Sequence, residues 1–264
     1  KQRALSARTP ASLDAYTLAT RASADKHLFT GAAYRDGRAA AERAIQLDPN
    51  YAFAWAVLGY LNSIDSGNNF TGEWKPSQRG EALAQIDRAL QLDPELPLAH
   101  QARCNTLLVL GRVPEALAAG ETAVQLAPGD ADNLVLLAWA QASAGRTDAA
   151  RATIDKAIAL YPIAPVYVNL AEADVRWAAG ELDAALAAID RCIERAPRYT
   201  WCRIMRAILY VELNRLEDAK RDAGLFRELQ PNASRATFET FAFVPELHAR
   251  RMKAADALGF AQAP

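Results

Sequence analysis

The sequence is short of the residues that most chemistry needs. Of its 264 residues three are His, three Cys and two Met, and neither charge predominates: 30 Lys plus Arg face 31 Asp plus Glu, a formal charge of -1. A domain that grips nucleic acid through phosphates shows an excess or a stripe of Lys and Arg. Here the two signs are interspersed, and no nucleic-acid partner is expected. Three Cys are too few for a disulfide framework. Long hydrophobic runs are absent too. The longest uncharged stretch lies between Asp48 and Asp65 and is interrupted by Pro49, Asn50, Gly59 and Asn62; it is too short and too broken for a bilayer, so no membrane segment is expected. No charged, apolar and small-residue leader opens the sequence, and Lys1 is compatible with an excised boundary. A Gly-rich phosphate loop, a Gly-x-Ser-x-Gly elbow and a His-Glu-x-x-His pair are all missing. Ser23-Ala24-Asp25-Lys26 fits the Ser-x-x-Lys pattern of acyl transfer, but its companion motifs are absent and it reads as amphipathic helix. What is there, 51% hydrophobic and 23% charged residues, is the composition of a folded globular chain.

Proline supplies a ruler for that chain. Pro49, Pro94, Pro128, Pro162, Pro197 and Pro231 recur, after a longer first interval, at a spacing of about 34 residues, a period that points to stacked repeats. Each follows a helical segment that proline would end. Seventeen residues before the last four stand Gly111, Gly145, Gly180 and Asn214, the residue types that most easily close a helix in the left-handed conformation. Twelve residues before the six prolines stand Gly37, Ala82, Ala116, Ala150, Ala185 and Ala219, and five before them Ala44, Ala89, Ala123, Ala157, Cys192 and Phe226. Small residues recur where helices must approach closely. Each unit thus reads as helix A, a turn, helix B and a proline-marked turn.

This pattern resembles the tetratricopeptide repeat family. The second unit carries the resemblance best, with Trp55-x-x-Leu58-Gly59, Ala82, Ala89 and Pro94 in phase once an insertion between its helices is allowed. Later units lose the helix-A Trp and show His100, Leu134, Asn169 and Arg203 there. The resemblance implies an all-α, right-handed α-solenoid of six helix pairs. They would span 11–49, 50–94 with a loop insertion at 65–80, 95–128, 129–162, 163–197 and 198–231, after a tail at 1–10 and before a C-terminal cap at 232–264. In the cap, Phe238, Phe241, Phe243, Leu247, Met252, Leu258 and Phe260 would cover the last pair while Arg250, Arg251 and Lys253 face water. A single pair cannot bury its apolar face, so stability must come from stacking.

The opening Arg3-Ala4-Leu5 through Ser12-Leu13-Asp14-Ala15-Tyr16, the long loop, Leu229-Gln230-Pro231-Asn232, Phe241-Ala242-Phe243 and Ala257-Leu258-Gly259-Phe260 resemble a narrower group. It is the C-terminal repeat region of bacterial class III adenylate or guanylate cyclases and related membrane-bound transcription regulators. That resemblance implies a noncatalytic sensory or regulatory module of a signalling protein, with periplasmic placement favoured over cytoplasmic. The alternative is a scaffold that binds a protein or peptide partner, or homo-oligomerises, through an apolar groove. No cofactor is expected on either reading.

The family's helix-A phases that line a concave face hold Phe53, Ala56, Tyr60 and Ser63, then Leu98, Gln101, Asn105 and Leu108, then Asp132, Val135, Trp139 and Ala142. Later pairs add Tyr167, Leu170, Asp174 and Trp177, then Trp201, Ile204, Ile208 and Val211. Exposed, they would form an aromatic, weakly acidic groove for a peptide or a small molecule; rotated inward, they would be core. Arg103, Glu172 and Arg206 stand where the family favours Leu, and Glu172 and Arg206 share a phase in adjacent units. They would either form an inter-repeat ion pair or line a polar pocket for a charged ligand. A pocket enclosed by the three favours sensing, and mutual pairing favours a scaffold. The insertion offers Phe70 and Trp74 either as exposed binding groups or as packing. Cys192 and Cys202 face one another across a junction, either bridged or as two buried thiols. His100 and Cys104 lie at i, i+4, but two ligands are too few, and His27, His100 and His248 are far apart along a linear solenoid, so no metal site is expected. Asn69-Phe70-Thr71 and Asn232-Ala233-Ser234 fit a glycosylation pattern that arises often by chance.

Overall fold

A computed structural model describes residues 12–25, 30–68, 70–72, 78–231, 233–238 and 244–260, and every regular element among them is helical. The chain divides into two compact units, Lys1–Asn133 and Leu134–Pro264. The first holds α1 (Leu13–Asp25), α2 (Gly31–Leu47), α3 (Ala52–Asn68), α4 (Arg79–Leu92), α5 (Pro97–Val109) and α6 (Val113–Leu126). α7 (Ala131–Ser143) begins at the boundary. The second unit continues with α8 (Thr147–Leu160), α9 (Val166–Ala178), α10 (Leu182–Arg195), α11 (Thr200–Glu212), α12 (Leu216–Leu229), α13 (Arg235–Phe238) and α14 (Pro245–Ala257).

The punctuation acts as expected. Gly111, Gly145 and Gly180 adopt φ of 75°, 72° and 79°, and Asn214 adopts 58°. In each case the following amide reaches back five residues, as Arg112 N–H to Leu107 C=O at 2.8 Å and Arg215 N–H to Tyr210 C=O at 2.8 Å. These bonds satisfy carbonyls that the end of a helix would otherwise leave bare. Residues before the prolines leave the helix, Asp48 at φ -142° and Asp93 at φ -144°.

The small residues are where the helices meet. Ala82, Ala116, Ala150, Ala185 and Ala219 are fully buried, as are Ala44, Ala89 and Ala157. Within the first unit α1 packs on α2, α3 on α4 and α5 on α6, with α3 against α5. Within the second, α9 packs on α10 and α11 on α12, with α9 against α11. α10 shows why: Ala185, Ala188, Ile189, Cys192 and Ile193 recur at helical spacing on one buried face.

The end of the chain departs from the expected cap in one respect. Phe238, Leu247, Met252, Leu258 and Phe260 are buried in the second unit's core, and Phe226 meets the Phe260 ring edge-on at 6.1 Å. Lys253 is exposed, but Arg250 is half-buried and Arg251 is 4% exposed, so the arginines turn inward rather than to water. Phe241 and Phe243 lie outside the described residues.

Candidate recognition surfaces

Helix-A side chains of the second unit converge on two carboxylates. The Trp139 indole N–H donates to Asp174 Oδ2 at 2.9 Å, and one helix pair later the Trp177 indole donates to Glu212 Oε1 at 2.7 Å. α14 supplies the countercharges. Arg250 donates to both Glu212 oxygens, at 3.0 and 2.6 Å, while its guanidinium stacks 4.6 Å from the Trp177 ring. Burial raises the Asp174 carboxyl to about 6, against the opposing pull of the Arg251 charge and the Trp139 hydrogen bond. Burial in turn lowers the Arg251 guanidinium, with Asp174 acting against it.

The expected open apolar groove is not what these positions form. Trp177 is 1% exposed and Trp201 7%, and both join Leu170, Ile204 and Ile208 in the core. Tyr60 and Gln101 are also buried. The cause is close stacking: the next helix covers what an isolated pair would expose. Partly accessible are Phe53, Asn105, Asp132, Trp139 and Tyr167, the last sharing a 3.1 Å hydroxyl contact with Tyr161. Asn105 donates to Ser63 Oγ at 2.9 Å, and Gln101 donates to Asn133 Oδ1 at 2.9 Å.

Glu172 and Arg206 do not pair with each other. Glu172 accepts from Arg191 at 2.7 Å, whereas Arg206 binds Asp222 through two nitrogens and Asp190 through a third at 2.8 Å. Arg103 donates to Asp87 at 2.7 Å. Each charge finds a helix-B partner, so Glu172 and Arg206 do not form the inter-repeat ion pair. The partners Asp87, Asp190 and Asp222 carry a signal in the sequence, since each stands at the same sequence separation from its arginine. The lost Trp phase also keeps a function. Trp55, His100 and Arg203 each hydrogen-bond the carbonyl of the proline six residues earlier, at 2.9, 2.8 and 3.4 Å. Because a carbonyl only accepts, His100 Nε2 carries the proton.

The first unit holds an open polar cleft of about 510 Å³ among α2, α3 and α4, lined by Arg35, Arg38, Glu42, Asn62, Gln78, Glu81 and Gln85. Asn62, 5% exposed, donates to Gln85 at 2.8 Å, and its Oδ1 has no hydrogen-bond partner among the described residues. The insertion frames this cleft. Fully buried Asp65 accepts from the Thr71 amide at 3.1 Å and lies 3.5 Å from Arg38, while Arg35 donates to the Thr71 carbonyl at 3.3 Å. Phe70 packs against Tyr34, 5.3 Å between centroids, and Gly31, the first residue of α2, leaves no room for a side chain, since a Cβ there would meet the Phe70 carbonyl at 2.5 Å. Trp74, Asn69, Asn232 and His27 lie outside the described residues.

Cys192 and Cys202 are joined in a disulfide, Cα atoms 6.2 Å apart. Cys104 is buried, which pushes its thiol up to about 12 and leaves it protonated near neutrality. Among the described residues no group of three or more His, Cys, Asp or Glu is placed to hold a metal, and no helix is long and apolar enough to cross a membrane.

Two tetratricopeptide repeat family models match the sequence, over residues 73–131 and 107–172. No curated protein matches it. Among solved structures, TTC0263, a thermophilic tetratricopeptide repeat protein of Thermus thermophilus, is similar at 23% identity, with 75% of this chain and 98% of that chain covered and a TM-score of 0.54. PilF of Pseudomonas aeruginosa is similar at 16% identity, covering 82% of this chain and 95% of that one, TM-score 0.51. A tetratricopeptide repeat protein of Parabacteroides merdae ATCC 43184 is similar at 17% identity, covering 93% and 100%, TM-score 0.50. At these identities the structures speak for the fold alone. Residues 73–172 thus match tetratricopeptide repeat models, and the chain folds as an α-solenoid.

Proposed function

We propose that this chain is a noncatalytic interaction scaffold that holds a polar peptide segment of a protein partner in the cleft of the first unit. The observation that carries the reading is the lining of that cleft. Asn62, Gln78 and Gln85 bring side-chain amides, which match the paired donor and acceptor of a peptide backbone, and Arg35, Arg38, Glu42 and Glu81 bring both charges to its rim. A selection from a displayed peptide library against the purified chain tests it. Enriched peptides should lose at least tenfold in affinity on Asn62→Leu or Arg38→Glu and be indifferent to Lys253→Ala. No enrichment, or binding blind to both cleft substitutions, overturns the reading.

A second reading, a sensory region that takes a small polar molecule, draws on the cleft's size, which lies within the roughly 300–1,000 Å³ of small-molecule sites. It also draws on the resemblance to cyclase-linked and regulator-linked repeats, and the Cys192–Cys202 bridge agrees with the oxidising compartment such a layout implies. Native mass spectrometry before and after incubation with a host extract separates the two. A small mass released on denaturation favours the sensor, and a gained polypeptide or a dimer favours the scaffold.

A further inference from the structure

We propose that α14 is a tethered occupant of the acidic, indole-lined face of the second unit, and that a partner helix carrying an arginine pair displaces it. The inference stands on the second unit alone and does not rest on the reading of the cleft.

The occupant's own pattern defines what the face accepts. Leu247, Arg250, Arg251, Ala254, Ala255 and Leu258 fall at i, i+3, i+4, i+7, i+8 and i+11, a single helical stripe. The apolar members of that stripe are buried, as is Arg251, and Arg250 is half-buried. Arg250 meets Glu212 through both carboxylate oxygens, and Arg251 is buried where its charge acts on Asp174; the face itself aims both carboxylates, since the indoles of Trp139 and Trp177 donate to Asp174 and Glu212. Segment entry is registered as well. The Val244 amide donates to the Ser143 carbonyl at 3.0 Å, beside Gly145, where an added Cβ would come within 3.3 Å of the Val244 side chain.

A helix that served only to cover apolar surface would gain more from leucine than from Arg251, because burying a charge pair is a poorer source of stability than burying an apolar one. Paired charges instead discriminate among occupants. The surface therefore reads charge, and what it reads is a basic amphipathic helix: arginines at adjacent positions, flanked by apolar residues three before and four after. While α14 is tethered, any such helix from a partner must outcompete a local concentration that no free peptide reaches easily.

The test uses the full chain and a fluorescein-labelled synthetic peptide of residues 244–260, followed by anisotropy. The double variant Arg250→Glu/Arg251→Glu, which sets α14 against Asp174 and Glu212, should bind the peptide at least tenfold more tightly than the wild-type chain. A peptide with both arginines replaced by leucine should bind that variant at least tenfold more weakly. Equal affinity of the two chains, or of the two peptides, overturns the proposal. Should the variant fail to fold, as judged by its circular dichroism, hydrogen exchange on the wild-type chain decides. Saturating peptide should speed exchange of amides in 245–257 while leaving α9 and α11 protected, and unchanged protection of α14 overturns the proposal.

Discussion

In the first unit the bonds that tie polar side chains between helices run largely between neutral groups, Asn62 to Gln85, Asn105 to Ser63 and Gln101 to Asn133, with the buried Asp65–Arg38 pair as the exception. In the second they are charged: Trp139 to Asp174, Trp177 and Arg250 to Glu212, Arg203 and Arg206 to Asp222. One repeat plan thus carries two kinds of interior. Amide pairs cost less to desolvate than charges do, and a cleft open to water lies beside Asn62 and Gln85. Buried carboxylates need countercharges, and the second unit obtains them from helix B and from α14.

The largest consequence lies with the indoles. Trp177→Ala removes a 1% exposed side chain and one of the donors to Glu212, which keeps Arg250, and it should cost about 3 to 5 kcal/mol in denaturant unfolding. Trp55→Ala, at a half-buried site whose indole donates to the Pro49 carbonyl, should cost less than half as much. Equal losses would erase the contrast between the units.

Next comes acid response. Asp174 titrates near 6 in the folded chain against an ordinary 3.8, because burial outweighs Arg251 and the Trp139 bond, with Tyr199 also near it. A carboxyl raised on folding stabilises most below its unfolded value, and that contribution is lost as pH rises through about 6. The stability of wild type relative to Asp174→Asn should therefore fall by about 3 kcal/mol from pH 3.5 to pH 7.5, at about 1.36 kcal/mol per unit. A flat difference would place Asp174 in a more solvated site.

Reduction should sharpen the comparison further. The Cys192–Cys202 bridge closes a loop of sequence separation 10, so Cys192→Ser/Cys202→Ser should lose about 2 to 3 kcal/mol, all of it from the second unit in hydrogen exchange. The smallest contrast is between two arginines of equal repeat phase. Arg206→Ala leaves Asp222, 4% exposed, with Arg203 as its remaining partner and should cost about 2 kcal/mol, whereas Arg103→Ala frees only Asp87, 42% exposed, and should cost below about 1 kcal/mol. Chemical denaturation of both variants checks the ratio.

Local chemistry explains what was legible in the sequence. Proline register, left-handed Gly111, Gly145, Gly180 and Asn214, and the alanines of close approach depend on backbone geometry and neighbours within one helix pair. Burial of Trp177 and Trp201 was not legible, because a repeat phase assigns a side chain to a helix face without saying what covers that face. Arg250 and Arg251 read as solvent-facing for the same reason: Glu212, which pairs with Arg250, and Asp174, whose charge acts on Arg251, stand on α11 and α9, far back along the chain. Arg103 and Arg206 were readable in principle, through the constant separation from their aspartates. The candidate cleft was half visible, since the insertion marked its place, but the amide lining arises only when α2, α3 and α4 come together.

The most direct test of the contrast is hydrogen exchange of the full chain with and without a polar, non-basic peptide taken from the display selection. Slowed exchange is expected in α2, α3 and α4, with no change in α9, α11 or α14. Protection of α9 and α11 with the first unit unchanged would contradict it.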